Sequence, residues 1–200
     1  FRILMKYLSI DIEATGLKQH DYIIEFAAVP FNTDTGLIEE SLAFHSYVRC
    51  PSFESLKGRL DQWVIDHNKD LITQAHTEGL DLLTFKQKIE EYLTSKKIAG
   101  YFAPEKKITL FGKSMNAIDL PFLTRDLGWD FMQKYFSHRI LDLSSTAFSL
   151  VDSKLIPPSC QSGSGLMKHL GMGDVCHTAL EDSVNTARMY LKLVSNMRSR

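Results

Sequence analysis

The sequence predicts an α/β fold, a mixed β-sheet flanked by helices. Three observations carry this. Three apolar runs of strand length fill the first quarter of the chain. The middle and the C-terminal end carry apolar residues at helical spacing. Two more short apolar runs lie among those helical segments. Strands first, then helices interleaved with strands, is the pattern of a mixed sheet covered by helices.

The first run, Tyr7–Ile12, is apolar and β-branched. The second, Tyr22–Phe31, is bounded by His20-Asp21 and by the turn-forming cluster Asn32-Thr33-Asp34-Thr35-Gly36. The third, Leu42–Val48, alternates Leu42, Phe44, Ser46 and Val48 against Ala43, His45 and Tyr47. Together they predict a three-strand meander.

Helical spacing then takes over. Lys57–His67 carries Leu60, Trp63 and Val64, and the next segment carries Leu82, Phe85, Ile89, Tyr92 and Leu93. Gly100 and Pro104 bound a charged connection. Ile108–Phe111 reads as a short strand. Asn116–Leu127 reads as a helix with Pro121 in its first turn, where proline is tolerated. Leu141–Leu143 ends another short strand, and Ser144–Val151 is a short helix. Pro157-Pro158 and Gly163–Gly165 mark an irregular stretch. Thr178–Met197 is a long final helix with Val184, Ala187, Leu191 and Val194 on one face.

Two hundred residues without repeats or low-complexity segments predict a single domain spanning 1–200. Apolar residues at 44% and charged residues at 24% predict a soluble globular protein. A net charge of -1 gives no global basic signal for nucleic acid, and leaves room for a local basic patch. No apolar run reaches the roughly 18 residues of a membrane helix. The N-terminus turns acidic too soon for a signal peptide, and Met5-Lys6 reads as a natural start after Phe1–Leu4. Cys50, Cys160 and Cys176 follow no metal or disulfide spacing, so a reducing, cytoplasmic location is expected.

The chemistry begins in the stretch SIDIEATGL, Ser9–Leu17. Asp11 and Glu13 interrupt an apolar run, and residues two apart on a strand share a face. Two adjacent carboxylates repel each other, and a divalent cation with oxygen ligands removes that penalty. Two more acids have suitable settings. Asp119 follows the strand Ile108–Phe111 and its Gly112 turn. Asp182 opens the final helix, where Thr178 and Glu181 form a capping box. His177 lies just outside that cap, free to turn toward whatever Asp182 binds. Four carboxylates can hold two divalent ions roughly 4 Å apart. A histidine of near-neutral pKa suits proton removal from water. Asp11, Glu13, Asp119, Asp182 and His177 together describe phosphodiester hydrolysis.

These residues resemble the DEDDh 3′→5′ exonucleases, whose fold is RNase H-like. The motif D-x-E-x-T-G-L stands as Asp11–Leu17, a second motif places an Asp after a strand at Asp119, and H-x4-D stands as His177 and Asp182. The resemblance implies an RNase H-like mixed sheet, with the meander joined by two short parallel strands. It implies two ions, Mg2+ or Mn2+, on Asp11, Glu13, Asp119 and Asp182, with His177 as general base. The substrates implied are single-stranded RNA or DNA 3′ ends and short oligonucleotides, with nucleoside 5′-monophosphates as products.

Within that family, Leu60–Ala75, Gly112–Ser114 and Tyr135–Ser145 look like segments of oligoribonuclease. That likeness implies that Trp63 packs on terminal bases, Leu17 wedges beside the last base and Ser114 touches phosphate. It also brings a homodimer into view. The sequence departs from that group in three places. Gly112–Asp119 is one residue longer, His138 and Ile140 replace aromatic residues around Arg139, and Pro157–Gly173 is extended. Lys113, Arg125, Arg139 and Lys168 are candidates for a phosphate-binding patch. The rival readings are a non-catalytic nucleic-acid-binding module and a proofreading or processing subunit on the same fold.

Overall fold

The computed structural model describes residues 5–173 and 178–199. Its strands are β1 (Lys6–Ala14), β2 (Ile23–Asn32), β3 (Leu37–Ile38), β4 (Phe44–Tyr47), β5 (Leu110–Gly112) and β6 (Leu141–Asp142). The helices are α1 (Phe53–Leu56), α2 (Gln62–Glu78), α3 (Leu82–Thr94), α4 (Lys96–Phe102), α5 (Asp119–Leu127), α6 (Trp129–Tyr135), α7 (Leu143–Asp152), α8 (Gly163–His169) and α9 (Ala179–Arg198).

The sheet order is β3-β2-β1-β5-β6, and β4 also pairs β2. β1 and β2 are antiparallel, whereas β5 and β6 run parallel to β1. The expected meander and the two short parallel strands are therefore present. The third strand of the meander is split. Ile38 faces Phe31 and Tyr47 faces Glu25, with a 3-10 turn at Glu40–Leu42 between the two pieces.

Alternation along β1 sorts the two faces of the sheet. Leu8, Ile10 and Ile12 enter a core with Phe85 and Ile89 of α3, Phe122 and Leu123 of α5, and Phe131 of α6. Ser9 points the other way, where its hydroxyl donates to the Ser183 carbonyl of α9 at 2.7 Å. On that second face Phe31, Phe111, Leu143, Leu166, Ala187 and Leu193 form another core. A third cluster, including Ile24, Leu56, Val64 and Ile72, seats α2 beside β2. Each buried Leu, Ile, Val or Phe among them stabilises the fold by roughly 1.5–3 kcal/mol relative to exposure. Asp11 and Glu13 share the α9 side with Ser9, so a polar stripe runs along the seam between β1 and α9.

Several boundaries differ from the sequence reading. The helix expected over Lys57–His67 begins at Gln62, because Leu60 and Asp61 are extended and Asp61 is the N-cap residue. Gly100 lies inside α4, exposed where a missing side chain costs little. That helix stops at Ala103, extended as the residue before Pro104 must be. Asn116–Ile118 form turns, so α5 starts at Asp119 itself. Gly163–Gly165 open α8 rather than breaking the chain, since Ser162 caps the Gly165 N–H. Helix α6 is too short to show a period in sequence. Thr178 caps α9 as predicted, its hydroxyl accepting from the Glu181 N–H, while the Glu181 carboxylate accepts from that hydroxyl rather than from the Thr178 N–H of a full capping box. No helix among the described residues is long and apolar enough to cross a membrane.

Candidate active site

The site is built where β1 ends. Past Ser9, which faces Phe111, β5 no longer pairs with β1, and β2 shifts register between Glu13 and Ala14. Chain N–H groups released there need other partners. Asp119, buried at the start of α5, supplies one, because its carboxylate accepts from the Ile12 N–H and from its own. Asp11, Glu13 and Asp182 converge beside it, each offering one oxygen within 4.8 Å of the others.

This concentration of like charge shows in the proton affinities. Asp11 is raised well above the usual carboxylate range, first by burial and then by the charges of Asp119, Glu13 and Asp182, with Lys113 opposing. Its surface is only partly closed, yet the surrounding chain strips most of its hydration. Glu13 is pushed up to about 7 by burial, then by Asp182 and Glu25. A hydrogen bond from Asn68 opposes that shift. Asp119 is pushed up to about 7 by burial, against its two backbone donors and with a smaller push from Asp142. Buried acids in these states accommodate a divalent cation, and an all-oxygen set of this kind suits a hard one. The donor set therefore fits a metal.

A tight loop follows the acids. The Thr15 N–H bonds the Tyr22 carbonyl, and the Tyr22 N–H bonds the Thr15 hydroxyl, both at 2.9 Å. The Lys18 N–H reaches Asp21 Oδ2 at 2.7 Å. A Cβ on Gly16 would stand 2.4 Å from that same oxygen, so only glycine fits. Arg125 donates to the Gln19 and Asp21 carbonyls and pairs with Asp126. The arrangement lifts Leu17 into solvent, 73% exposed.

Leu17, Trp63, Val64, Asn68 and Ile118 line a cleft of about 360 Å3 that reaches Glu13. Trp63 is 53% exposed and its ring stacks on His67, with centroids 4.4 Å apart. The structure thus brings Leu17 and Trp63 to the same cleft. Ser114 lies outside that lining. It holds a left-handed φ of 57° and its hydroxyl meets Ser144 at 2.8 Å. Asp142 anchors the same turn through the Met115 N–H, and also caps α7 through the Ser145 N–H.

Of the candidate cations, Lys113 faces Asp11, whereas Arg125 is committed to the Gly16–Asp21 loop. Arg139 lines a different cavity with Lys6 and Lys107, at the start of β1 and away from the acids. Arg125 and Arg139 therefore do not join Lys113 in one patch. Cys50 and Cys160 are buried thiols. His177, the candidate base, and Cys176 lie outside the described residues, as do Phe1–Leu4.

Two residues at the site escaped the sequence reading. Asn68 interrupts the buried stripe Val64, Ile72 and Ala75 of α2. Glu25 is a lone acid in a strand whose ten residues are all buried. Each carries the same signal in sequence, a polar residue inside an apolar pattern.

Comparison with known proteins agrees with this geometry. The RNase_T (Exonuclease) family model matches residues 8–190. No curated protein matches the sequence. Among solved structures, the nuclease domain of 3'hExo, a DEDDh family member bound to rAMP, aligns with a TM-score of 0.66 at 19% identity, covering 98% of this chain and 94% of that one. Cell-death related nuclease 4 (CRN-4) aligns at 0.69 and 15% identity, over 96% of this chain and 64% of that one. Product-bound exonuclease I aligns at 0.65 and 17% identity, over 97% and 44%. The chain thus spans less than two thirds of the latter two proteins. At these identities the likeness is one of fold.

Proposed function

The chain belongs to the RNase_T exonuclease family, and from that premise we propose a 3′→5′ exonuclease acting on single-stranded ends and short oligonucleotides, in the manner of oligoribonuclease. Residues 1–200 would work as one domain. The observation that carries the reading is the convergence of Asp11, Glu13 and Asp182 within 4.8 Å beside the Leu17–Trp63 cleft. The nuclease domain of 3'hExo binds rAMP, a nucleoside monophosphate of the class proposed here as product.

In this reading Asp11, Glu13, Asp119 and Asp182 hold two ions, Mg2+ or Mn2+. Bound there, the ions would lower the pKa of water and neutralise charge on the scissile phosphate. Asn68 orients the Glu13 carboxylate, and Asp119 is fixed by the Ile12 N–H. Leu17 wedges beside the terminal base while Trp63, oriented by His67, offers its ring for stacking. Ser114, held against Ser144, accepts the role of phosphate contact. His177, by resemblance, removes the proton from the attacking water. Assembly as a homodimer belongs to the same reading.

A panel of RNA and DNA oligonucleotides, from dinucleotides upward, tests it. Mononucleotides should leave from the 3′ end with Mg2+ or Mn2+ and not with EDTA. Short single strands should be preferred to duplexes. Absence of activity on every substrate, or internal cleavage, refutes the reading. The stacking role has its own test. Base stacking contributes about 1–3 kcal/mol, so Trp63→Ala should raise KM for oligonucleotides by roughly 5- to 150-fold with a smaller change in kcat. An unchanged KM assigns Trp63 to packing alone.

A further inference from the structure

We propose that Glu25, backed by His45, is a positioning residue that seats Asp182 by holding the first turn of α9. The inference rests on the reading of Asp11, Glu13 and Asp182 as a metal-binding set.

Glu25 is the third residue of β2, and its carboxylate is closed off from water. Burying a carboxylate is costly unless both oxygens find donors. Both do. Oε1 meets His45 Nε2 on β4 at 2.6 Å, and Oε2 accepts the Ala179 N–H at 3.0 Å. Ala179 is the first residue of α9, and its N–H is one that the helix itself leaves unpaired. A strand residue thus reaches across the sheet to pin the helix start. Asp182 lies three residues on, about one turn along.

Packing alone does not account for an acid here. An apolar residue would fill a buried strand position at less cost. Glu25 also stands directly opposite Glu13 in the β1–β2 register, where its negative charge works against the carboxylate cluster. What the acid supplies is an acceptor aimed at the α9 terminus. Thr178 ties the same turn at the Glu181 N–H, and Ser9 ties it at the Ser183 carbonyl. Asp182 sits between those fastenings, so its distance from Asp11 and Glu13 is set from three sides. Groups that orient metal-binding side chains carry a characteristic penalty on removal, about 10- to 100-fold in metal affinity or activity.

The test measures Mn2+ binding by calorimetry, and Mn2+-dependent turnover, in Glu25→Ala, Glu25→Leu, Glu25→Gln and Asp182→Asn. Glu25→Leu removes the acceptor while filling the same buried space. Glu25→Ala and Glu25→Leu should each weaken Mn2+ binding about tenfold, with turnover largely restored at saturating Mn2+. Glu25→Gln keeps an oxygen acceptor and should stay within about threefold of the parent. Should Glu25→Ala fail to fold, Glu25→Leu decides. Parent-like Mn2+ affinity in the folded variants overturns the positioning role, and so does a Glu25→Gln loss equal to that of Glu25→Leu. If the parent and Asp182→Asn bind Mn2+ alike, the metal reading itself fails and takes this inference with it. That outcome is distinct from normal parent binding, lost in Asp182→Asn and unaffected in the Glu25 variants.

Discussion

Asp11→Asn will remove nearly all exonuclease activity and make the metal-free protein more stable. Both effects follow from one position. Asp11 faces Asp119, Glu13 and Asp182 together, and their charges push its proton affinity upward. In the proposed function that crowding would draw in divalent ions, and a neutral amide at its centre would weaken their hold. A loss of at least 1,000-fold in kcat, about 4 kcal/mol of transition-state stabilisation, is expected. Without metal the same substitution removes a charge that burial and three neighbouring acids disfavour. The melting temperature in EDTA should therefore rise, by about 2–4 °C for each kcal/mol relieved in a chain of this length. Oligonucleotide turnover and thermal denaturation of the two proteins check both parts. Activity above a tenth of the parent's would remove Asp11 from the centre of the chemistry.

The second large effect is a stability that depends on pH and metal together. Glu13 moves from 4.5 to about 7, and Asp119 from 3.8 to about 7. An acid whose folded pKa lies above its unfolded one binds its proton more tightly in the fold. Its favourable contribution is complete below the unfolded pKa, near 4, and disappears as pH climbs through about 7. Each of these two groups then costs the metal-free fold on the order of 3–4 kcal/mol once ionised. Metal-free protein should lose stability from about pH 4.5 to 8 on their account. Bound Mg2+ or Mn2+ favours the ionised carboxylates and should cancel that loss. The gap between metal-saturated and EDTA melting temperatures should be small at pH 5 and widest above pH 7.5. A gap independent of pH would show that these acids do not share a cation.

Legibility in the sequence followed the range of the interaction. The pair Asp11 and Glu13 could be read because strand alternation puts them on one face within three residues. The Thr178–Glu181 cap was legible for the same reason, since it closes within one turn. Strand and helix types emerged from periodicity, but the start of α2 did not, because Leu60 fits a helical stripe while its backbone is extended. Glu25 stood out as an acid in an apolar run, but its role was illegible because its partners lie 20 residues away at His45 and 154 away at Ala179. Asn68 gave only its polar character within an apolar stripe, and nothing local told that α2 turns it toward Glu13. Sequence supplies the type of each group; only the fold decides which distant group it meets. Arg125 and Arg139 make the same point in reverse. Both were plausible phosphate ligands, but one braces a loop and the other lines a separate cavity.

That braced loop has a consequence for turnover. Thr15 and Tyr22 clasp its base, Asp21 grips the Lys18 N–H, and Arg125 clamps the Gln19 and Asp21 carbonyls. Leu17 thus stands on a rigid pedestal, already in position when the chamber is empty. A strand end binding there, as proposed, would pay little ordering entropy. In the proposed function the pedestal would act as a fixed ruler against which each new terminus is measured, cycle after cycle.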